Sequence, residues 1–505
     1  MSTFLTLLFK WVSLLSLISS TINVSASLYR LPRLDLFEGE RGKEVQTQAE
    51  EKIPKEFKTF FYTQTLDHFN YLPESYTTFK QKYMINFKYW GGAKKNAPIF
   101  VYLGEESPLD GNMLKNSGLL IENIPDFKAL LIYIEHRYYG TSVPFGSAEK
   151  VMKNATLRGY FNSAQALADY AEIILYLKEK FHAHYSPVIV FGGSYGGMLA
   201  TWFRLHYPHV ALGALASSAP VLSFYSLNPE GQYFSIVTKD FKDTSNSCYQ
   251  TIKNSWSEID KVASQPNGLS ILSQRFQTCK PLNSSKLLKD FLEIKYADAA
   301  QYNGPTRYPV TKMCEAIDGT PKGTDILGQI FAGLVAHAGK KSCYNMTSTP
   351  RIDEVAWHWQ ECSELVDPID YRRNEDSMFE RLDDYNFSNF TQDCITEFGV
   401  PPRPYWATTY FGGQDIRLVL KRFGSNILFS NGLQDPYSIA GGVLEDISDT
   451  IVAVNTAKGA HWSDLGAFRK STDPDWLVKQ REREMEIIKG WITKYYADLS
   501  SMKKK

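Results

Sequence analysis

A serine flanked by glycines is the first residue of this sequence that could do chemistry. Ser194 lies in the segment Gly192-Gly-Ser-Tyr-Gly196, after an apolar strand pattern at 187–191 and before a helical pattern at 198–207. Between a strand and a helix, Gly-x-Ser-x-Gly places the serine on a sharp, strained turn, because the glycines let the two elements approach closely. The hydroxyl would then stand at the carboxyl edge of a sheet, so we interpret Ser194 as a nucleophile.

A nucleophilic serine needs a general base, and the base needs a carboxylate that orients it. In hydrolases with this turn, the acid and then the histidine follow the serine along the chain, each after a later strand. Of the histidines that follow Ser194, His461 alone comes after a late strand pattern. The acid expected before it is Asp435, which follows the apolar run at 426–429. The predicted triad is therefore Ser194, Asp435 and His461.

Acyl transfer also needs backbone donors for the oxyanion of its transition state. Tyr195 N–H is the first candidate, and the second is expected from the loop after an earlier strand, at Gly104 or Glu105. Glu105 and the neighbouring Glu106 could serve binding, but the favoured interpretation is that they are solvated loop acids. No His-Glu-x-x-His or Cys-x-x-Cys motif occurs, so neither a metal nor a cofactor is expected.

Apolar runs that alternate with helical patterns must position these residues. The patterns predict strands at 98–103, 129–134, 187–191, 210–216, 426–429 and 450–454, and helices at 162–181, 198–207 and 475–496. Strand–helix–strand order with apolar strands is typical of a parallel sheet covered by helices on both faces. We therefore predict an α/β domain, with Asn162 or Ser163 as the cap of its helix at 162–181.

A polar, helical stretch interrupts this alternation between residues 226 and 400. All six cysteines of the chain lie within it: Cys248, Cys279, Cys314, Cys343, Cys362 and Cys394. A polar insertion with little core of its own gains most from cross-links. The predicted organisation is an α/β domain formed by 56–225 and 401–505, with 226–400 as an inserted helical lid tied by disulfides.

Several motifs together resemble the serine carboxypeptidase family that includes lysosomal Pro-Xaa carboxypeptidase and dipeptidyl peptidase II. They are the segments 64–69, 135–140, 192–197, 430–436 and 459–461, in a stretch from about Tyr62 to Tyr496. The resemblance implies an α/β-hydrolase fold with a lid inserted before the acid, and cleavage beside proline at a chain end by the predicted triad. The leading hypothesis is release of a C-terminal residue from Pro-Xaa ends, and the alternative is release of N-terminal Xaa-Pro dipeptides.

The resemblance also implies roles outside the triad. It implies the bridges Cys248–Cys314, Cys279–Cys343 and Cys362–Cys394. It places Met198 and Tyr437 at a pocket for proline, where Tyr437 replaces the tryptophan usual in the family. Trp462 stands where the family usually has a second histidine, close to the substrate. Because an indole has one donor and no charge, Trp462 is expected to weaken selectivity for a terminal carboxylate.

The amino terminus and the acceptor motifs predict the compartment. Residues 1–26 combine one lysine, a short apolar run and small residues, which is typical of a signal peptide, and 27–55 would be an N-terminal arm or a propeptide. An even number of cysteines suits an oxidising compartment. Glycosylation is predicted at the Asn-x-Ser/Thr motifs of Asn154, Asn283, Asn345, Asn386 and Asn389. The protein is therefore expected in the secretory pathway, either lysosomal or vacuolar or extracellular.

Composition excludes other classes of function and partner. The chain of 505 residues is 43% hydrophobic, and its 55 basic residues balance 55 acidic ones, which argues against binding nucleic acid or an anionic membrane. The expected partners are peptides with proline near a terminus, without stable membrane association, and a homodimer is left open. A lipase would be expected to have an apolar lid face, and a binding protein of this fold would be expected to lack the serine or the histidine.

Overall fold

An eight-stranded sheet forms the centre of the protein. The computed structural model describes residues 52–502 apart from 226, 228–231, 306, 348–349, 367–375, 381–386, 440, 442–443, 446 and 467–470. The strands are β1 (Phe57–Thr65), β2 (Thr78–Asn86), β3 (Ile99–Leu103), β4 (Leu130–Ile134), β5 (Val188–Gly193), β6 (Gly213–Ser217), β7 (Ile427–Gly432) and β8 (Ile451–Thr456). Their order across the sheet is β1-β2-β4-β3-β5-β6-β7-β8.

The sheet is mixed, so the prediction of a parallel sheet is wrong at one edge. Strands β3 to β8 pair in parallel, whereas β1 pairs antiparallel with β2 and β2 pairs antiparallel with β4. Strands β1 and β2 were not predicted, because the strands were predicted from continuous apolar runs. In β1 only Phe57 and Gln64 are fully buried, as in a strand with one solvated face.

The strands predicted from apolar runs are all present. Strands β3 to β7 are buried along their whole length. Phe100, Tyr133 and Leu428 of the sheet belong to one apolar core with Ile488 and Trp491 of the C-terminal helix. Burial on both faces explains why these strands consist of continuous apolar residues.

Helices connect the strands of the first half of the sheet. They are α1 (Gly111–Asn116), α2 (Gly118–Phe127), α3 (Ala148–Met152), α4 (Ala155–Arg158), α5 (Ser163–Lys180) and α6 (Ser194–His206), with short 3-10 turns at Pro73–Tyr76 and Ala93–Lys95. The cap of α5 is Asn162, whose side chain accepts a hydrogen bond from Gln165 N–H at 3.0 Å. Helix α6 begins at Ser194, four residues earlier than the sequence pattern predicts.

The segment between β6 and β7 is helical, as predicted for the lid. It contains α7 (Gln232–Thr244), α8 (Asn246–Ala263), α9 (Gly268–Arg275), α10 (Ser285–Gln301), α11 (Pro309–Asp318), α12 (Ile326–Ala338), α13 (Ile352–Ser363), α14 (Phe387–Phe398), α15 (Trp406–Phe411), a 3-10 turn at Gly413–Asp415 and α16 (Ile416–Phe423). The chain closes with α17 (Asp475–Met502). The bridges are Cys248–Cys314, Cys279–Cys343 and Cys362–Cys394, the pairs that the resemblance implies. The predicted fold, an α/β-hydrolase domain with a helical, disulfide-tied lid, is confirmed.

The predicted boundaries at residue 400 and within residues 1–55 are not fixed by the structure. Helices α15 and α16 continue the helical segment beyond residue 400, as far as Phe423. The predicted signal peptide at 1–26 and nearly all of the predicted arm at 27–55 lie outside the described residues. Within the part of the chain that the structure describes, no helix is both long and apolar enough to cross a bilayer.

Candidate active site

Ser194 lies at the turn between β5 and α6. Its φ angle of 54° is in the left-handed region, which is strained for a residue with a Cβ. The glycines before it allow the tight turn. A Cβ on Gly192 would lie 2.0 Å from the carbonyl oxygen of Gly196, and one on Gly193 would lie 2.3 Å from the ring of Trp462. The turn therefore has the geometry that Gly-x-Ser-x-Gly predicts between a strand and a helix.

The side chains of Ser194, His461 and Asp435 form a continuous hydrogen-bonded row. Ser194 Oγ lies 3.0 Å from His461 Nε2, and His461 Nδ1 lies 2.7 Å from Asp435 Oδ2. Asp435 Oδ1 also accepts a hydrogen bond from Tyr437 N–H at 2.9 Å. With Nδ1–H donating to the carboxylate, Nε2 is left to accept the serine proton. This arrangement suits a general base acting on a serine nucleophile.

Backbone contacts hold the loops of the acid and the histidine. Asp435 N–H donates to Gly432 O at 3.1 Å. Gly432 packs against Gly459 so closely that a Cβ on Gly432 would lie 2.2 Å from the Gly459 carbonyl. His461 N–H donates at 3.0 Å to the carbonyl of Gln301, the last residue of lid helix α10. The loops of Asp435 and His461 thus contact each other, and the loop of His461 also contacts the lid.

The backbone N–H groups predicted to bind the oxyanion differ in whether they already donate a hydrogen bond within the protein. Tyr195 N–H lies in the first turn of α6, where backbone donors have no partner within the helix. Gly104 N–H donates to Ile134 O at 2.9 Å, which commits it to the sheet. The prediction for Gly104 is therefore wrong, and Glu105 is the candidate that remains from this loop.

Glu105 and Glu106 are fully buried, so the prediction of solvated loop acids is wrong. Glu105 Oε1 accepts a hydrogen bond from Tyr102 O–H at 3.3 Å. Glu105 also lies against the serine turn, because a Cβ on Gly196 would be 2.8 Å from its Oε2. Burial comes from a turn that is distant in sequence, and local polarity could not predict it.

Met198 and Tyr437 are the residues predicted for a proline pocket. Met198 follows Ser194 by one turn of α6, and both side chains are buried. The ring of Tyr437 has its centroid 5.5 Å from that of His461 and 5.0 Å from that of Tyr233 in lid helix α7. Tyr437 thus connects the triad with the lid.

Trp462 is buried beside the serine turn, with 1% of its surface exposed. Its φ angle is 58°, and its ring packs against Gly193. Its backbone N–H donates to Ser218 Oγ at 3.1 Å. Among the described residues, its indole N–H has no hydrogen-bond acceptor. Trp462 therefore packs beside the turn that contains Ser194, where it contributes bulk without charge.

A buried polar cluster around the phenol of Tyr195 was missed by the sequence analysis. Tyr195 Oη lies 3.1 Å from His136 Nε2, 2.8 Å from Ser163 Oγ and 2.8 Å from Gln360 Nε2. Glu364 accepts hydrogen bonds from Ser163 N–H at 2.9 Å and from Gln360 Nε2 at 2.9 Å. Burial lowers the pKa of His136 to about 4 and raises the pKa of Glu364 to about 7. The four-residue spacing of Gln360 and Glu364 was the available signal, since it places both on one helical face.

A second buried cluster holds the loop that contains His461. Ser217 Oγ donates to Asp464, and Ser430 Oγ donates to Glu484 of α17 at 2.7 Å. Arg481 donates to three backbone carbonyls of the histidine loop, at 2.6, 3.0 and 3.1 Å. Burial raises the pKa of both carboxyl groups, and the neighbouring Asp464 raises that of Glu484 further.

The predicted glycosylation sites lie mostly within the described residues. Four of the predicted glycosylation sites are exposed, namely Asn154, Asn283, Asn345 and Asn389, and the fifth, Asn386, lies outside the described residues. Their use stays a prediction. Within the described ranges, no group of three or more His, Cys, Asp or Glu side chains could hold a metal ion.

Comparison with known proteins identifies the family of the chain. The family model of serine carboxypeptidase S28 matches residues 64–484. Lysosomal Pro-X carboxypeptidase of Mus musculus is 35% identical over 466 residues, which cover 88% of this chain and 91% of the relative. The protein of the same name from Homo sapiens is 36% identical over 463 residues, covering 88% and 90%. Prolyl carboxy peptidase like protein 5 of Caenorhabditis elegans is 30% identical over 450 residues, covering 82% and 86%. The chain therefore belongs to the serine carboxypeptidase S28 family.

Proposed function

We propose that this serine carboxypeptidase releases the C-terminal residue from peptides in which proline precedes that residue. The observation that carries the proposal is the hydrogen-bonded row of Ser194, His461 and Asp435, in a chain 35–36% identical to enzymes named lysosomal Pro-X carboxypeptidase. The alternative, release of N-terminal Xaa-Pro dipeptides, is not favoured by these relatives.

In the proposed reaction, Ser194 Oγ attacks the carbonyl carbon of the proline residue while His461 Nε2 takes the serine proton. His461 then gives this proton to the nitrogen of the C-terminal residue, which leaves as the free amino acid, and Ser194 stays esterified to the shortened peptide. Water attacks the ester in the second half of the reaction, again with His461 as the base. Tyr195 N–H and Glu105 N–H are the proposed donors to the oxyanion.

Met198, Tyr437 and Tyr233 supply the apolar and aromatic walls proposed for the proline pocket. Ser194 is fully buried, and Tyr233 of the lid packs on Tyr437. Access of a peptide to Ser194 therefore requires that neighbouring side chains move, and Tyr233 of the lid is among the candidates. The proposal includes such a movement as a step before chemistry.

A lysosomal or secretory route is the proposed location. The lysosomal names of the relatives support it, as do the disulfide bridges, which form and persist in oxidising compartments. The predicted signal peptide at 1–26 is consistent with the same route.

The test compares two peptides, one with proline next to its C-terminal residue and one with an N-terminal Xaa-Pro pair. Mass spectrometry of the products should show release of the C-terminal residue from the first peptide. Ser194→Ala should abolish both this release and labelling by a fluorophosphonate. Ser257→Ala, at an exposed serine of α8, is the matched control and should retain both. Release of N-terminal dipeptides, or a tenth of the activity remaining in Ser194→Ala, would overturn the proposal.

A further inference from the structure

Two residues of the lid reach the serine turn through the side chain of Tyr195. We propose that Gln360 and Glu364 are positioning residues for catalysis, because they hold the phenol of Tyr195 and thereby the turn that contains Ser194. The proposal rests on the proposed function, since it takes Ser194 as the nucleophile and Tyr195 N–H as an oxyanion donor.

The phenol of Tyr195 makes the full set of hydrogen bonds open to a tyrosine hydroxyl. His136 Nδ1 lies 2.6 Å from the carbonyl of Arg137, so it carries the proton, and Nε2 is left as an acceptor for Tyr195 O–H. The two lone pairs of the phenol oxygen then accept from Gln360 Nε2 and Ser163 Oγ. The residue is therefore held at its side chain, while its backbone N–H is the proposed donor to the oxyanion.

Gln360 and Glu364 connect this anchor to the lid. Gln360 Oε1 accepts from Tyr139 O–H at 2.6 Å, and its amide also donates to Glu364. Glu364 in turn accepts from the backbone N–H of Ser163, the first residue of α5. A carboxylate at a helix N-terminus is favoured by the helix dipole. The lid residues thus bind both the serine turn and the helix beside it.

Displacement of this part of the lid would leave several buried polar groups without partners. All four of Tyr195, Ser163, Gln360 and Glu364 are buried, and a buried polar group that loses its partner is strongly destabilised. Helix α13 also packs on the core through Trp359, whose Nε1 donates to the Phe161 carbonyl at 3.2 Å. The same contacts therefore stabilise both the position of α13 against the α/β domain and the conformation of the turn that contains Ser194.

The experiment uses the full chain and three variants. Gln360→Met keeps the length of the side chain but removes its hydrogen bonds, and Tyr195→Phe removes only the phenol oxygen. Glu361→Gln is the matched control, because Glu361 lies in the same helix, is 31% exposed and contacts His358 instead of Tyr195. We measure kcat and KM with a Pro-Xaa peptide, per active site counted by fluorophosphonate, together with the melting temperature.

We expect kcat per labelled site to fall about tenfold in Gln360→Met and in Tyr195→Phe, since a misplaced oxyanion donor loses part of the stabilisation that its removal would abolish. KM should change little, and Glu361→Gln should match the wild type. The variant that carries both changes should have a kcat no lower than that of the less active single variant, because both changes remove the same contact.

A purely structural role would give a different result, with fewer labelled sites or a lower melting temperature and an unchanged kcat per labelled site. That result would overturn the proposal. Should Gln360→Met fail to fold, Tyr195→Phe gives the same test with the loss of one oxygen. Failure of the proposed function would be visible separately, because the wild type itself would then resist labelling at Ser194 or would not cleave the peptide.

Discussion

The contact between Gly193 and Trp462 fixes the space beside Ser194, the proposed nucleophile. Gly193 directly precedes Ser194, and the ring of Trp462 lies where a Cβ on Gly193 would be, at 2.3 Å. The neighbouring backbone is strained on both sides, since Ser194 and Trp462 both have positive φ angles. Neither the turn nor the indole can yield to an added methyl group without displacing Ser194 or His461.

Gly193→Ala is therefore expected to lower kcat/KM by about 100-fold or more, because a displacement of about 1 Å at reacting groups has effects of this size. Gly490→Ala is the control, since Gly490 lies in α17 and a Cβ there would meet no atom within 4 Å. This second change should leave activity unaltered and stabilise the helix by about 0.5–1 kcal/mol. Activity assays and thermal melts of both variants check the prediction, which half-retained activity in Gly193→Ala would contradict.

Trp462 leads to a prediction about recognition of the terminal carboxylate. Its indole has one donor and no charge, whereas a histidine could supply a positive charge to a carboxylate. We expect the wild type to cleave a Pro-Xaa peptide and its C-terminal amide with more similar kcat/KM values than Trp462→His does. Equal rejection of the amide by both proteins would show that another group binds the carboxylate.

At the scale of elements, the sequence predicts what depends on long apolar runs and on chain order. The strands β3 to β8, the serine turn and the order of Ser194, Asp435 and His461 are of this kind. The burial of Glu105, the commitment of Gly104 N–H to the sheet and the contacts of Gln360 could not be predicted. Each of these depends on a partner that is distant along the chain, and local pattern does not specify such a partner.

The bridge Cys362–Cys394 ties α13 to α14, close to the residues that hold Tyr195. We expect replacement of both cysteines by serine to destabilise the protein by about 2–4 kcal/mol and also to lower kcat. The matched control replaces Cys279 and Cys343, whose bridge lies elsewhere in the lid. That pair should lower stability with kcat nearly unchanged. Thermal melts and active-site titration distinguish the two results, and equal kcat values in the two pairs would count against the expectation.

For the whole molecule, buried carboxyl groups around the active site determine how stability depends on pH. Burial raises the pKa of Asp240 in α7 to about 8, and Asp243 and Asp435 add to this rise. Burial also raises the pKa of Glu364 to about 7 and that of Glu484 well above its usual range. These groups lie in the lid and in the C-terminal helix, so their protonation affects both the lid and the α/β domain.

The sign of the effect follows from proton binding. A carboxyl group with a higher pKa in the folded than in the unfolded protein binds more protons when folded, so stability falls as pH rises through that interval. His136 and His206 have lowered pKa values and act in the opposite direction, but only below about pH 6.5, where the unfolded histidines become protonated. Between pH 6.5 and 8 the carboxyl groups therefore determine the sign.

We expect the melting temperature to fall by a few degrees between pH 6.5 and 8, because a carboxyl group that stays protonated over this whole interval contributes about 2 kcal/mol, and Glu364 and Asp240, which titrate within it, contribute less. Asp240→Asn and Glu484→Gln substitute neutral amides and should each reduce the fall. Glu486→Gln, at an exposed position of α17, should leave it unchanged. Stability that stays constant or rises over the interval would contradict the prediction. Because these groups favour the folded protein when they are protonated, the direction of the effect suits an enzyme proposed to act along an acidic, lysosomal route.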